Sequence, residues 1–134
     1  MPGYSGTPLT KKLGIKPGFR VSLLDAPAEV RAELGAALAG CENAGDGEAP
    51  LDFAMVFRKS KSELAKEFKR IRNRLAPAGM LWASWPKKSS GVATDLNEDI
   101  VREIGLDAGL VDVKVCAVTE VWSGLKFVRR VKDR

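Results

Sequence analysis

Residues 85–95 of the chain read Trp-Pro-Lys-Lys-Ser-Ser-Gly-Val-Ala-Thr-Asp. Lys87 and Lys88 supply two cations, and Ser89, Ser90 and Thr94 supply three hydroxyls. Gly91 lets the loop turn, or brings backbone N–H groups close to a ligand. Thr94-Asp95 has the composition of a helix start, where free N–H groups and the helix dipole favour an anion. Trp85, beside the lysines, offers a face on which a base or sugar ring can stack. Together these residue types describe a site for a small anion or a nucleotide. The spacing of glycine and lysine is not that of a phosphate-binding P-loop. The expected ligand-binding set is therefore Trp85, Lys87, Lys88, Ser89, Ser90, Gly91, Thr94 and Asp95. Tyr4, Ser5, Thr7 and Trp122 form a second group, which joins the first if the N-terminal arm folds over the sheet. The competing reading is a solvated loop in which Thr94 or Asp95 is simply a cap.

Other chemistries are poorly supplied. The 134 residues contain no histidine and only two cysteines, Cys41 and Cys116, without a CxxC. That removes most zinc sites and the Ser-His-Asp and Cys-His arrangements, so no metal is expected. Acid–base work would fall to Asp, Glu, Lys or Tyr4. Charge is unevenly placed. Residues 58–88 carry ten Lys/Arg against two Glu, while the remainder carries twelve Lys/Arg against fifteen Asp/Glu. A face for an acidic partner should come from that middle third. Nucleic acid is disfavoured as the partner, because Glu63 and Glu67 interrupt the basic run and no nucleic-acid motif is present.

The elements that must position these residues follow from the pattern of apolar positions. A strand is predicted over Arg20–Leu24, then a helix from about Pro27 to Leu38 with Val30, Leu34 and Leu38 on one stripe. A weak edge strand, or none, is expected near Cys41, followed by a loop. Leu51–Phe57 is a near-continuous apolar run that suits a central parallel strand. Ser60-Lys-Ser-Glu63 is a capping box, and its helix should run to about Leu75 with Leu64, Phe68, Ile71 and Leu75 inward. Met80–Trp85 is the next strand, broken at Pro86. Asp95-Leu-Asn-Glu98 resembles a second box for a helix carrying Ile100, Val101 and Ile104. Val111–Thr119 and Leu125–Val131 alternate with period two and form a terminal hairpin, with Ser123-Gly124 in or beside its turn. Thr7-Pro8 reads as the start of a short helix within an arm over residues 1–19. One domain over residues 1–134 is expected. Its strands and helices alternate, which predicts a parallel sheet covered on both faces.

Two segments resemble the C-terminal half of Rossmann-like methyltransferases. Leu75-Ala-Pro-Ala-Gly-Met-Leu81 is similar to the turn before that fold's fifth strand. Gly109-Leu-Val-Asp-Val-Lys-Val115 is similar to its entry into the last two strands. The resemblance implies an α/β three-layer sandwich whose mostly parallel sheet ends in an antiparallel hairpin. That fold's cofactor motif is a glycine-rich turn after the first strand, followed by an acidic residue after the second. Here the first strand runs into Asp25-Ala-Pro-Ala28, without glycine. On this reading no cofactor is expected.

Over nearly the whole length the chain also resembles the bacterial domain-of-unknown-function family 3052. The segments that carry this are Gly3–Leu9, Lys11–Ile15, Trp85–Lys88 with Ser90-Gly91, Asp95-Leu96, Val101–Leu106, Gly109–Asp112, Lys114–Cys116 and Trp122–Leu125. It implies a small α/β domain with no assigned activity.

The functional expectation is a non-catalytic binding or regulatory module, with a small anionic ligand or a protein as its partner. The alternative is a divergent S-adenosylmethionine-dependent methyltransferase-like enzyme. It would need a pocket rebuilt from the arm and Asp25, and a base among Asp25, Asp52, Asp95 and Glu120. The start of the chain lacks the apolar run of a secretory signal, and no stretch is long enough to span a bilayer. A cytoplasmic protein with reduced thiols is expected. Nothing in the sequence fixes an oligomeric state.

Overall fold

The computed structural model describes residues 7–45, 47 and 49–134. Its centre is one six-stranded sheet: β1 (Arg20–Leu24), β2 (Glu42–Asn43), β3 (Leu51–Phe57), β4 (Leu75–Pro86), β5 (Leu110–Ala117) and β6 (Trp122–Arg129). The spatial order is β2-β1-β3-β4-β6-β5. The first four strands are parallel, and β6 runs antiparallel to both β4 and β5. The sheet is mostly parallel and ends in an antiparallel hairpin, as the alternation of elements requires.

Four helices cover it: α1 (Leu9–Leu13), α2 (Ala28–Ala39), α3 (Lys61–Arg72) and α4 (Glu98–Asp107). Residue alternation along each strand divides the apolar side chains between two cores. On one face Leu9, Leu13, Val30 and Leu34 of α1 and α2 pack on Val21, Phe53, Met55 and Trp82. On the other, Leu64, Phe68 and Ile71 of α3 and Val101 and Ile104 of α4 pack on Ala54, Val56, Leu81, Trp85 and Phe127. Phe68 and Phe127 meet edge to face at 5.0 Å. The Trp82 indole N–H donates to the Leu13 carbonyl at 3.0 Å, so the one polar group of this buried ring ties α1 to the sheet.

Several boundaries differ from the sequence expectation. The weak edge strand expected near Cys41 is present, as two residues paired with β1. The helix expected to reach Leu75 stops at Arg72, and Leu75 pairs with Leu51 at the head of β4. The register then jumps so that Phe53 faces Met80. Gly79 sits in this irregularity, where a Cβ would lie 2.5 Å from the Leu51 carbonyl oxygen. Ser123-Gly124 lies within β6 rather than in the turn. A Cβ on Gly124 would come within 2.9 Å of Val118 and 3.2 Å of Trp82, so a strand with a gap for its neighbours looks in sequence like a break. The short helix α1 is preceded by Pro8 at its cap, and Thr7, exposed, makes no capping bond. Among the described residues no helix is long and apolar enough to cross a membrane.

Candidate functional site

The sheet's connections reverse direction between β1 and β3: the chain leaves β1 toward β2 and returns to β3 on the other side. In open parallel sheets the crevice at the carboxyl ends of such a pair is where ligands sit. A cleft of about 460 Å³ opens there, lined by Asp25, Phe57, Arg58, Lys59, Glu63 and Trp122. Its volume is within the range of small-molecule sites.

Asp25 follows β1 directly and has φ of 59°, the only positive φ on a non-glycine residue among those described. Aspartate tolerates this left-handed conformation better than most side chains, although glycine does so at no cost. The turn after β1 therefore keeps a backbone shape that favours glycine, while a carboxylate occupies the position. Arg58 follows β3 and spans the cleft. Its Nη1 donates to Asp25 Oδ2 at 2.6 Å and to the Phe57 carbonyl at 2.8 Å, and its Nη2 donates to Glu67 Oε2 at 2.8 Å. Arg70 Nε holds the other oxygen of Glu67 at 3.0 Å. Arg58 and Glu67 are largely covered, whereas Asp25 is 76% exposed, so the Arg58–Glu67 bond is the firmer of the two. Phe57 and Trp122 meet edge to face at 5.2 Å and form the apolar wall. Two acids, two cations and two rings suit a zwitterionic ligand that carries a flat or apolar body.

The loop singled out from the sequence lies beside this cleft. Trp85 is only 5% exposed and packs in the α3/α4 core, which leaves little of its ring for stacking. Thr94 Oγ1 donates to the Lys59 carbonyl at 2.6 Å, and Asp95 Oδ1 accepts from the Lys61 N–H at 2.7 Å. Asp95 thus caps α3 across space. The helix after it begins at Glu98, with Asn97 as its cap accepting from the Ile100 N–H at 2.8 Å. Ser90 Oγ donates to the Lys87 carbonyl and accepts from the Val92 N–H, so it shapes its own turn. Gly91 takes φ of 76° at the end of a single 3₁₀ turn over Lys88–Ser90. The Lys87 N–H donates to the Val121 carbonyl. Lys88 and Ser89 are exposed and Lys87 is half-buried. What the loop still offers a ligand is chiefly its two ammonium groups. Trp122 belongs to the cleft; Thr7 lies at the head of α1, and Tyr4 and Ser5 lie outside the described residues.

Of the four acids named as bases, Asp25 lines the cleft. Asp95 is the α3 cap, and Asp52 accepts from the Arg20 N–H at the opposite, amino-terminal end of the strands. Glu120 is exposed in the β5–β6 turn. Sequence reasoning counted Arg58 and Lys59 in the basic middle third but did not place Phe57, Arg58, Lys59 or Glu63 in this cleft. The signal was present in the strand order: once β1 and β3 are adjacent, the residues just past Leu24 and Phe57 must share an edge. No cluster of three or more His, Cys, Asp or Glu suited to a metal occurs among the described residues.

No protein-family model matches the chain, and no curated protein does. Solved structures do. Magnesium protoporphyrin IX methyltransferase (ChlM) from Synechocystis PCC 6803 with bound SAH aligns at TM-score 0.59 and 12% identity, over 90% of this chain and 78% of that one. Fibrillarin from Aeropyrum pernix, in complex with natively bound S-adenosyl-L-methionine, aligns at 0.54 and 15% identity, over 94% and 70%. TnmH aligns at 0.56 and 15% identity over 91% of this chain, which spans only 46% of TnmH. At these identities the likeness is one of fold. The chain has the Rossmann-like methyltransferase fold.

Proposed function

We propose that the chain is a divergent methyltransferase-like protein that binds an S-adenosyl ligand in the cleft between the ends of β1 and β3. The observation that carries this is the left-handed turn at Asp25, on the rim of a 460 Å³ cleft at the sheet's switch point. Two of the similar folds hold SAH or S-adenosyl-L-methionine.

The residues present fit such a ligand. Arg58 and Lys59 suit its carboxylate, Asp25 and Glu63 its ammonium, and Phe57 and Trp122 its apolar or ring portions. The first turn of α2 opens beside Asp25, and its cap residue, Pro27, provides no side-chain bond. The methionine form of the ligand would supply an electrophilic methyl group. This chain's own part is to orient the ligand: the Arg58–Asp25 contact opens, and each partner exchanges the other for a ligand group of the same charge. Glu67 keeps Arg58 in place while that happens. Asp25 is the one carboxylate among the four named bases that can reach a bound acceptor from this rim. The proposed membership of family 3052 would extend the same reading to proteins that share its segments.

Calorimetric titration of the folded protein with S-adenosylhomocysteine tests this. Saturable one-to-one heat is expected, weakened about tenfold in Asp25→Asn through loss of one charge-assisted bond. No heat from a demonstrably folded sample overturns the reading.

A further inference from the structure

Away from the cleft, lysines from three separate stretches of sequence converge on the face of the terminal hairpin that α1 covers. Lys114 of β5 and Lys126 of β6 are directly paired across the hairpin. Facing residues of an antiparallel pair hold their side chains about 5 Å apart, and like charges so placed are destabilising. Lys114 Nζ donates to the Lys12 carbonyl, and Lys12 Nζ donates to the Ala117 carbonyl, both at 3.2 Å, so α1 is laced to the hairpin by lysines. Lys16 is exposed in the loop after α1. Partial burial, and then the ammoniums of Lys114 and Lys16, hold Lys126 below the ordinary lysine range. Among the described residues, none of Lys16, Lys114 and Lys126 has a carboxylate partner. By contrast Arg20, Arg58, Arg70 and Arg102 each have one.

We propose that this lysine cluster is a binding site for an oligophosphate group. Ammonium groups bind phosphate as point charges and need no planar geometry. Several of them gathered at one spot, rather than along a stripe, match the charge density of a di- or triphosphate. They match less well the extended backbone of a nucleic acid, which is contacted along its length. Bound there, the anion would sit over Lys114 and Lys126 and be closed from the side by Lys16. The mutual repulsion of the cations would become shared attraction. The site is separate from the cleft and does not depend on how the cleft is read.

The test is calorimetric titration of the full chain with sodium triphosphate at low ionic strength, with ATP and a single-stranded oligonucleotide in parallel. One-to-one binding of triphosphate is expected, and it should raise the melting temperature. ATP that binds as well as the bare anion identifies a nucleotide source, and ATP that binds less well identifies the free oligophosphate; both support the site. Lys16→Ala and Lys126→Gln should each weaken binding at least about tenfold, the order of one charge-assisted hydrogen bond. Asp25→Asn should leave it unchanged. Lys16→Ala alters only an exposed loop side chain, so it carries the test if Lys126→Gln fails to fold. Absence of saturable heat, wild-type affinity in Lys16→Ala, or tighter binding of the oligonucleotide than of triphosphate overturns the proposal.

Discussion

The cleft past β1 and β3 and the lysine face of the terminal hairpin handle charge in opposite ways. In the cleft the central cation is paired with acids: Arg58 lies between Asp25 and Glu67, and Glu67 is also held by Arg70. At the hairpin, Lys114 and Lys126 face each other and Lys16 adds to them. A network that satisfies itself holds its shape without a ligand and yields only by exchange of partners. A cluster of one sign carries a standing cost that an incoming anion removes. The first arrangement suits a ligand bearing both charges, the second a ligand bearing only negative ones.

The sharpest way to break the comparison is to damage the hairpin and spare the cleft. Gly105 of α4 lies against Phe127 of β6, where an added Cβ would sit 1.9 Å from the ring. Phe127 is fully buried and has no room to retreat. Gly105→Ala should cost about 3 kcal/mol, at the upper end of overpacking penalties. Urea unfolding measures it, and a cost below about 1 kcal/mol would show that β6 and α4 separate easily. Next in size is Arg58→Ala in the cleft. It removes the partner of Glu67, whose side chain is 14% exposed. Arg70 still pairs with that carboxylate, so the loss should be about 2 kcal/mol rather than the larger penalty of a fully orphaned buried charge. The same substitution should abolish S-adenosylhomocysteine binding while leaving triphosphate binding intact.

These two regions also differ in how far the sequence exposes them. The strands Arg20–Leu24 and Leu51–Phe57 can be read directly, because apolar runs bounded by turn residues are local signals. So can the Ser60 cap, whose bond to the Glu63 N–H spans three residues. From those strands the switch point follows, and Asp25 and Trp122 had drawn attention as a base and as an aromatic. What stayed hidden is what distance in sequence hides. Asp95 reads as the cap of the helix after it, yet its bond is to Lys61, 34 residues earlier. Leu75 reads as the end of a helix because it continues the stripe of Leu64, Phe68 and Ile71, while pairing with Leu51 takes it into the sheet. Counting charge along the chain finds the basic middle third. It does not bring together the hairpin lysines, which come from positions 12, 16, 114 and 126, far apart in the chain.

A smaller effect sharpens the cleft side. Asp25 holds a left-handed conformation that costs a residue with a Cβ about 1 kcal/mol relative to glycine. Asp25→Gly removes that strain and also an exposed ion pair worth little by itself. The variant should therefore be more stable than wild type by up to about 1 kcal/mol in urea unfolding. Asp25→Asn keeps the strain, loses the charge and should be close to neutral. If the turn's strain serves to present a carboxylate to a ligand, both variants lose S-adenosylhomocysteine binding alike. If the backbone shape is what the ligand needs, the glycine variant keeps its affinity and the asparagine variant keeps it too. Loss in the glycine variant alone would mean that the side chain, charged or not, props the turn.

The smallest effect is the most specific to the hairpin. Lys126 feels Lys114 and Lys16, and the Cys116 thiol of the same hairpin, which feels Lys12 and Lys114, is itself raised above the usual cysteine value by burial. The Lys126 ammonium is held below the ordinary lysine range in the folded state only. At neutral pH both folded and unfolded chains carry that proton, and the repulsion is felt in full. As pH rises through the folded value toward the unfolded one, the folded chain sheds the proton first. It then binds fewer protons than the unfolded chain, so stability rises with pH in that window. The gain should be small, since the group is only partly covered and solvent screens it. Denaturant melts between neutral and alkaline pH read it as the difference between wild type and Lys126→Gln, in which the rise is absent. Added salt should shrink the difference, because these charges lie close to solvent. Triphosphate should reverse its sign: with the anion bound the proton is retained, and stability then falls as pH climbs. A pH slope identical in wild type and Lys126→Gln, with or without triphosphate, would place the hairpin lysines beside the cleft as a region whose charges are already balanced.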